Sequence, residues 1–102
     1  MPKIVSVRTG SRIEMVDITP MVAGEVSRAG VTEGFCVVYV PHTTAGITIN
    51  EGADPDVCHD ILKRLNELVP CSSSYRHMEG NSDAHIKASI MGSSVTAVSY
   101  TH

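Results

Sequence analysis

Residues 34–40 read Gly-Phe-Cys-Val-Val-Tyr-Val, a run with almost no polar side chain, and Pro41 follows at once. An apolar run of this length predicts a β-strand that is covered on both faces, because a strand with one face in water alternates apolar and polar residues. Proline has no backbone N–H to pair, so the strand is expected to end there. It leads directly into the polar segment 42–45, His-Thr-Thr-Ala.

Period-two alternation predicts further strands on both sides of this run. Residues 3–9 and 12–18 alternate around Gly10-Ser11 and predict a β-hairpin. Residues 46–51 resume the alternation after the polar segment, and residues 93–100 predict a last strand.

The first predicted helix follows the hairpin. Thr19 is a suitable N-cap, Pro20 suits the first helical position, and Gly30 is expected to end the helix. The second helix has the clearest signals, with Asp54 as N-cap and Pro55 next, followed by an apolar stripe. Residues 83–91 predict a third helix that ends at Gly92, with two isoleucines facing inward, Ile86 and Ile90.

The order strand-strand-helix-strand-strand-helix-loop-helix-strand predicts an α+β fold, in which helices pack on a largely antiparallel sheet. A length of 102 residues fits one domain. With one phenylalanine and no tryptophan, the core is expected to consist of aliphatic side chains.

Charge and cysteine usage exclude several classes of function. With 8 basic and 11 acidic residues and a net charge of −3, the chain has no basic patch, which argues against a nucleic-acid partner. No apolar run approaches the roughly 20 residues that span a bilayer, so no membrane partner is expected. The three cysteines are widely spaced and form no CxxC motif, which predicts free thiols and a cytoplasmic location.

Three of the five histidines fall in predicted loops or at a helix start, beside Asn, Asp, Glu and Thr residues. His42 follows the apolar strand, His77 lies in a polar loop over residues 71–82, and His85 lies in the first turn of the third helix. Backbone N–H groups at a helix start favour an anion. The pattern predicts a shared site for a small phosphorylated molecule, an inorganic anion or a metal. His59 falls on the solvent side of the second helix and is left out.

Each of these residues also has an adequate structural role when taken alone. Asp83 is suited to cap its helix, and Thr43 and Thr44 are suited to satisfy turn backbone. A metal site would need ligands that the fold brings together, because the sequence contains neither HExxH nor CxxC.

Taken in order, several short motifs resemble the YjbQ-like family, also called the secondary thiamine-phosphate synthase family. They are 42–45 His-Thr-Thr-Ala, 49–51 Ile-Asn-Glu with Asp54-Pro55, and His77 with 81–86 Asn-Ser-Asp-Ala-His-Ile, and the resemblance extends from about Lys3 to Val98. It implies an α+β fold with sandwich-like sheets, assembled as a homotrimer. Family members typically continue beyond the last strand with a tryptophan-containing stretch, so residues 1–102 are expected to be a single YjbQ-like domain that is shortened at its C-terminus.

The resemblance also implies a weak thiamine-phosphate synthase activity. That reaction joins hydroxymethylpyrimidine diphosphate to a thiazole phosphate and releases pyrophosphate. The residues it implies for catalysis are His42, His77, His85 and Glu51. Those it implies for substrate binding are Thr43, Thr44, Asn50, Asn81 and Asp83.

A divalent metal ion, Mg²⁺ or Zn²⁺, is a further expectation, with His42, His77 and His85 as its ligands. Few basic side chains lie near the motifs, only Arg76 and Lys87, so a diphosphate would need another cation. Two alternatives stay open: a metal-assisted hydrolase of a small phosphorylated substrate, and a non-catalytic ligand-binding or scaffold trimer.

Overall fold

The computed structural model describes residues 2–72, 75–77 and 80–100, so positions 73, 74, 78 and 79 of the predicted polar loop lie outside the described residues. The elements in chain order are α1 (Thr19–Arg28), β1 (Glu33–Tyr39), α2 (Pro55–Leu68), α3 (Ser82–Met91) and β2 (Ser94–Tyr100). Strands β1 and β2 pair antiparallel along their whole length. The prediction of an α+β fold with antiparallel pairing is confirmed.

Three of the predicted strands are absent from the described residues. Residues 3–9 and 12–18 do not form a hairpin, and residues 46–51 do not form a strand. Alternation alone does not make a strand, because each backbone N–H and C=O needs a partner on a neighbouring strand. The N-terminal segment has no such ladder, and Ile4 is 92% exposed.

The prediction that β1 is covered on both faces is wrong. Its exposure alternates strictly, and Phe35, Val37 and Tyr39 all point to the open face. Val98 of β2 lies opposite Phe35 and extends the same face. We call these four residues the open sheet face. The radius of gyration, 15.6 Å, exceeds the about 13 Å of a compact domain of this length, consistent with faces that this chain leaves uncovered.

Helices α1 and α2 begin close to where their sequences predict. In α1 the N-cap is Ile18, one residue before the predicted Thr19, and the Asp17 carboxylate accepts a hydrogen bond from the Thr19 N–H at 2.9 Å. In α2 the Asp54 carboxylate accepts from the Asp56 N–H at 2.9 Å, as expected for an N-cap.

The buried face of α3 is polar, which the sequence analysis did not predict. Ile86 and Ile90 are 39% and 57% exposed, so the prediction that they face inward is wrong. Asp83 and Lys87 are buried instead, one helical turn apart on the same side. Val69 is the only buried hydrophobic side chain in the described part of the chain, so apolar packing contributes little at this helix.

The buried Asp83 carboxylate is the centre of an ion-pair network that joins three segments of the chain. The Arg12 guanidinium donates to both of its oxygens, at 3.1 and 3.2 Å, and so attaches the N-terminal segment to α3. The Lys87 ammonium lies 3.5 Å from the same carboxylate and donates to the Asn66 side chain at 2.6 Å. Because Asn66 belongs to α2, the network links α2, α3 and the N-terminal segment.

Gly46 brings the segment after β1 against the end of α3. A Cβ at Gly46 would lie 2.7 Å from the Met91 Cβ and 3.1 Å from the Gly92 carbonyl oxygen. The Ile47 N–H donates to that same oxygen at 3.0 Å, and the Val40 N–H donates to the Ser93 oxygen at 2.8 Å. The segment that carries His42 is therefore held at both ends beside the C-terminus of α3.

We predict that Gly46→Ala destabilises the protein by about 1–3 kcal/mol, because the added methyl group overlaps backbone and Cβ atoms that have no room to move. Urea unfolding followed by circular dichroism would measure the loss. Gly10→Ala is the matched control, since a Cβ there meets nothing within 4 Å. Equal stability of the two variants would contradict the close approach.

Candidate functional site

The His85 side chain separates two shallow pockets along α3. The first, of about 530 Å³, is called here the helix-start pocket and is lined by Tyr75, Arg76, His77, Ser82, His85 and Ile86. The second, of about 460 Å³, is called the loop pocket and is lined by His42, Thr43, Ala45, His85, Ala88, Ser89, Gly92 and Ser93. Both volumes fall within the range of pockets that bind small molecules. His85 is the residue that they share.

The three predicted histidines are thus brought together around His85. The His77 and His85 rings lie edge to face, with centroids 5.3 Å apart and planes at 88°. His42 lies across the loop pocket from α3, because its segment is held against Gly92 and Ser93. His77 therefore shares one pocket with His85, and His42 shares the other.

Asp83 lies beneath this arrangement and not in either pocket. Its side chain is 1% exposed, and its carboxylate faces Arg12 and Lys87. The hydrogen bonds from Arg12 hold the pKa of the Asp83 carboxyl below its usual value against the opposing effect of burial, with the charges of Arg12 and Lys87 acting in the same direction. The carboxylate is thus charged and already paired.

Asn81 lies at the start of α3, where its backbone oxygen accepts from the Ala84 and His85 N–H groups at 3.1 and 3.4 Å. Its side-chain oxygen is buried and has no hydrogen-bond partner among the described residues. Thr43 lines the loop pocket, whereas Thr44 is exposed and lines neither pocket.

Asn50 and Glu51 also line neither pocket, and their side chains bond locally. The Asn50 side-chain oxygen accepts from the Glu51 N–H at 2.7 Å, and the Glu51 carboxylate accepts from the Ala53 N–H at 2.7 Å. Both residues are exposed. Their participation in a site with the histidines stays a prediction.

Sequence reasoning missed several polar residues at these pockets. Tyr75 lines the helix-start pocket, and Ser89 and Ser93 line the loop pocket. Arg12, which supports the helix start from beneath, is 71 positions away from Asp83 and carries no local signal. The only part of the network that the sequence could have predicted is the pair of Asp83 and Lys87, because residues four apart on a helix are neighbours.

The metal prediction finds no support in the described geometry and stays a prediction. The described residues contain no group of three or more His, Cys, Asp or Glu side chains placed to hold a metal ion. Asp83 is occupied by two cations, and Glu51 bonds to its own turn.

The fold and the pockets describe a small α+β domain in which His42 and His77, from two loops, line pockets that each also include His85 of α3. The model of the family described as UPF0047 protein YjbQ-like matches residues 3–99, and this chain belongs to that family. It is 53% identical over 92 residues to UPF0047 protein MJ1081 of Methanocaldococcus jannaschii and 50% identical over 95 residues to UPF0047 protein YugU of Bacillus subtilis. These matches cover 90% and 92% of this chain and 67% and 72% of the two relatives.

Solved structures support the same assignment. A YjbQ/UPF0047 family protein of Clostridium acetobutylicum superposes with a TM-score of 0.80 at 55% identity, covering 83% of this chain and 66% of that one. A protein of unknown function from Sulfolobus solfataricus gives 0.85 at 32% identity, covering 92% and 69%. The chain thus spans about two thirds of the length of the relatives it matches. No helix among the described residues is long and apolar enough to span a membrane.

We predict that the ion pair at Asp83 makes stability depend on acid pH. Because the folded pKa is lowered, the stabilisation is complete above the ordinary carboxyl pKa of about 3.9 and is lost as the pH falls through the folded value. The difference in Tm between the wild type and Asp83→Asn should be large at pH 7 and shrink below about pH 4. Thermal unfolding at a series of pH values would measure it.

Asp60→Asn serves as the control, because Asp60 is 80% exposed on α2. Its Tm should follow that of the wild type at every pH. A difference between wild type and Asp83→Asn that stays constant with pH would contradict the role of the charged carboxylate.

Proposed function

We propose that this chain binds a small phosphorylated molecule around His85 and carries out a transfer of the thiamine-phosphate synthase type. The observation that supports this best is the pair of neighbouring pockets with one imidazole between them. A reaction that joins two small substrates needs two adjoining binding places and a group that borders both. The sequence resemblance to the secondary thiamine-phosphate synthase family supports the same reaction.

In this proposal the helix-start pocket takes the diphosphate. It holds the Arg76 guanidinium and the His77 and His85 imidazoles, all of which donate hydrogen bonds to phosphate oxygens. Ser82 is the first residue of α3, and the N–H groups of a first helical turn favour negative charge. Guanidinium, imidazole and helix start converge on one shallow pocket.

The loop pocket takes the second substrate, the thiazole phosphate. Its lining is less basic and richer in hydroxyl groups, with Thr43, Ser89 and Ser93 beside His42. Hydroxyls hydrogen-bond both to a phosphate ester and to ring heteroatoms. This difference between the linings supports a different substrate in each pocket.

The bond between the substrates forms beside His85. The thiazole nitrogen bonds to the methylene carbon of the pyrimidine, and the bond from that carbon to the diphosphate oxygen breaks. The electron pair of the broken bond leaves with pyrophosphate. Arg76, His77 and His85 stabilise the negative charge that develops on the leaving oxygen, and a protonated imidazole supplies a proton to it.

The experiment is turnover of the two thiamine precursors by the purified protein, with and without added Mg²⁺ or Zn²⁺. We predict that His85→Ala lowers the rate by roughly 100-fold, the usual size of a lost acid–base group, and His42→Ala by less. His59→Ala is the control, because His59 is 74% exposed on α2 and lines neither pocket. It should keep the wild-type rate.

The outcomes separate this reaction from the two alternatives. Equal trace rates for the wild type and His85→Ala would remove the catalytic role of His85. Binding of pyrophosphate by calorimetry without turnover would favour the non-catalytic ligand-binding trimer. Release of phosphate from a single phosphorylated substrate, dependent on added metal, would favour the hydrolase.

We also propose that the protein assembles as a homotrimer, as the resemblance implies. The open sheet face supports this, because Phe35, Val37 and Val98 are 76%, 60% and 65% exposed and contiguous across paired strands. Exposed apolar patches of this kind commonly mark interfaces between proteins.

We predict that Val37→Lys dissociates the trimer into monomers. The substitution places an ammonium group in the open sheet face, and burying it there without a partner is costly. Light scattering after size exclusion would measure the mass. His59→Lys adds the same charge to an exposed position of α2 and should leave the mass unchanged. A wild-type protein that is itself monomeric would exclude the trimer for this chain.

A further inference from the structure

Arg12 makes three hydrogen bonds that the proposed reaction does not use. Two go to the Asp83 carboxylate, and the third runs from Nη2 to the Gly80 carbonyl oxygen at 3.1 Å. The guanidinium thus contacts both the segment that precedes α3 and the first turn of α3 itself. Its side chain is 49% exposed, whereas its carboxylate partner is 1% exposed.

These contacts lie directly behind the paired histidines. Gly80 is three residues after His77, and Asp83 is two residues before His85. Gly80 has a φ of +78°, so the backbone turns sharply at the point where Arg12 holds its carbonyl oxygen. One planar guanidinium therefore contacts both the backbone just before α3 and the carboxylate in its first turn.

We propose that Arg12 is a positioning residue that holds the His77 and His85 imidazoles at the helix-start pocket in the orientation that binds a phosphate group. It does so through Gly80 and Asp83, without lining the pocket itself. The inference rests on the proposed function for the nature of the ligand. The orientation of the two rings is measurable without any ligand.

The chemistry of the side chain explains why arginine suits this place. A guanidinium has five N–H donors in a fixed plane, so it bonds to both carboxylate oxygens and a carbonyl oxygen together. A lysine carries the same charge at a single nitrogen and has no planar fork. The Lys87 ammonium, at 3.5 Å from Asp83, keeps part of the charge balance when Arg12 is replaced.

The experiment compares Arg12→Met and Arg12→Lys with Arg64→Met as the matched control. Arg64 is an exposed arginine of α2 that pairs with Glu67 at 3.0 Å and lines neither pocket. The first measurement is the imidazole resonances of the ligand-free protein by NMR. The second is the affinity for inorganic pyrophosphate by calorimetry.

We expect Arg12→Met to shift the resonances of His77 and His85, which face each other, and to leave those of His42 and His59 in place. Its affinity for pyrophosphate should fall by roughly tenfold, the equivalent of one hydrogen bond to a charged group. Arg12→Lys should remain folded and show smaller changes in the same two histidines. Arg64→Met should change neither measurement.

Two results would overturn the inference. One is a folded Arg12→Met or Arg12→Lys variant in which the His77 and His85 resonances coincide with those of the wild type. The other is equal displacement of the His42, His59, His77 and His85 resonances in Arg12→Lys, which would indicate a general loss of structure. Failure of the wild type to bind pyrophosphate would contradict the proposed function and leave the NMR comparison to decide the role of Arg12.

Discussion

The buried carboxylate of Asp83 is the interaction on which the rest of this small structure depends. It lies on the inner face of α3, where a helix of a soluble protein normally carries apolar side chains. A buried carboxylate is costly unless cations and hydrogen-bond donors compensate it. Arg12 and Lys87 provide that compensation, and each brings a different part of the chain with it. This requirement brings the N-terminal segment and α2 into contact with α3.

A second constraint operates at the other end of α3. Gly46 lies so close to Met91 and Gly92 that a side chain there would overlap with them. The Ile47 N–H donates to the Gly92 oxygen, and the Val40 N–H donates to the Ser93 oxygen next to the last pair of the β1–β2 ladder. His42 is consequently held beside the C-terminal half of α3, while His77 lies beside the N-terminal half. The single helix therefore organises both pockets, with His85 between them.

Much of the apolar surface of this chain is exposed in the described residues. The open sheet face exposes Phe35, Val37, Tyr39 and Val98, and among the described residues only Val69 is a buried hydrophobic side chain. Hydrophobic burial normally supplies most of the stability of a domain. The matched region covers 66% and 69% of two solved relatives, which superpose on this chain with TM-scores of 0.80 and 0.85. The polar network therefore has a larger share in holding this part of the fold together than it would in a domain with a full apolar core.

The sequence by itself determined the local structure wherever the signal was local. Asp54 and Pro55 predicted the start of α2, Gly92 the end of α3, and the apolar runs the positions of β1 and β2, because caps, glycines and strand propensity act over a few residues. Of the residues in the predicted site, His42, Thr43, His77 and His85 line the two pockets, whereas Thr44, Asn50, Glu51 and Asp83 do not. Only the tertiary structure decided which way each element faces. Residues 3–9 and 46–51 alternate as strands do, but they form no strand because no neighbouring strand pairs with them. Helix α3 places Asp83 on its buried side and Ile86 on its exposed side. In that orientation Asp83 pairs with Arg12, and a pairing across 71 positions leaves no trace in the local pattern of either segment.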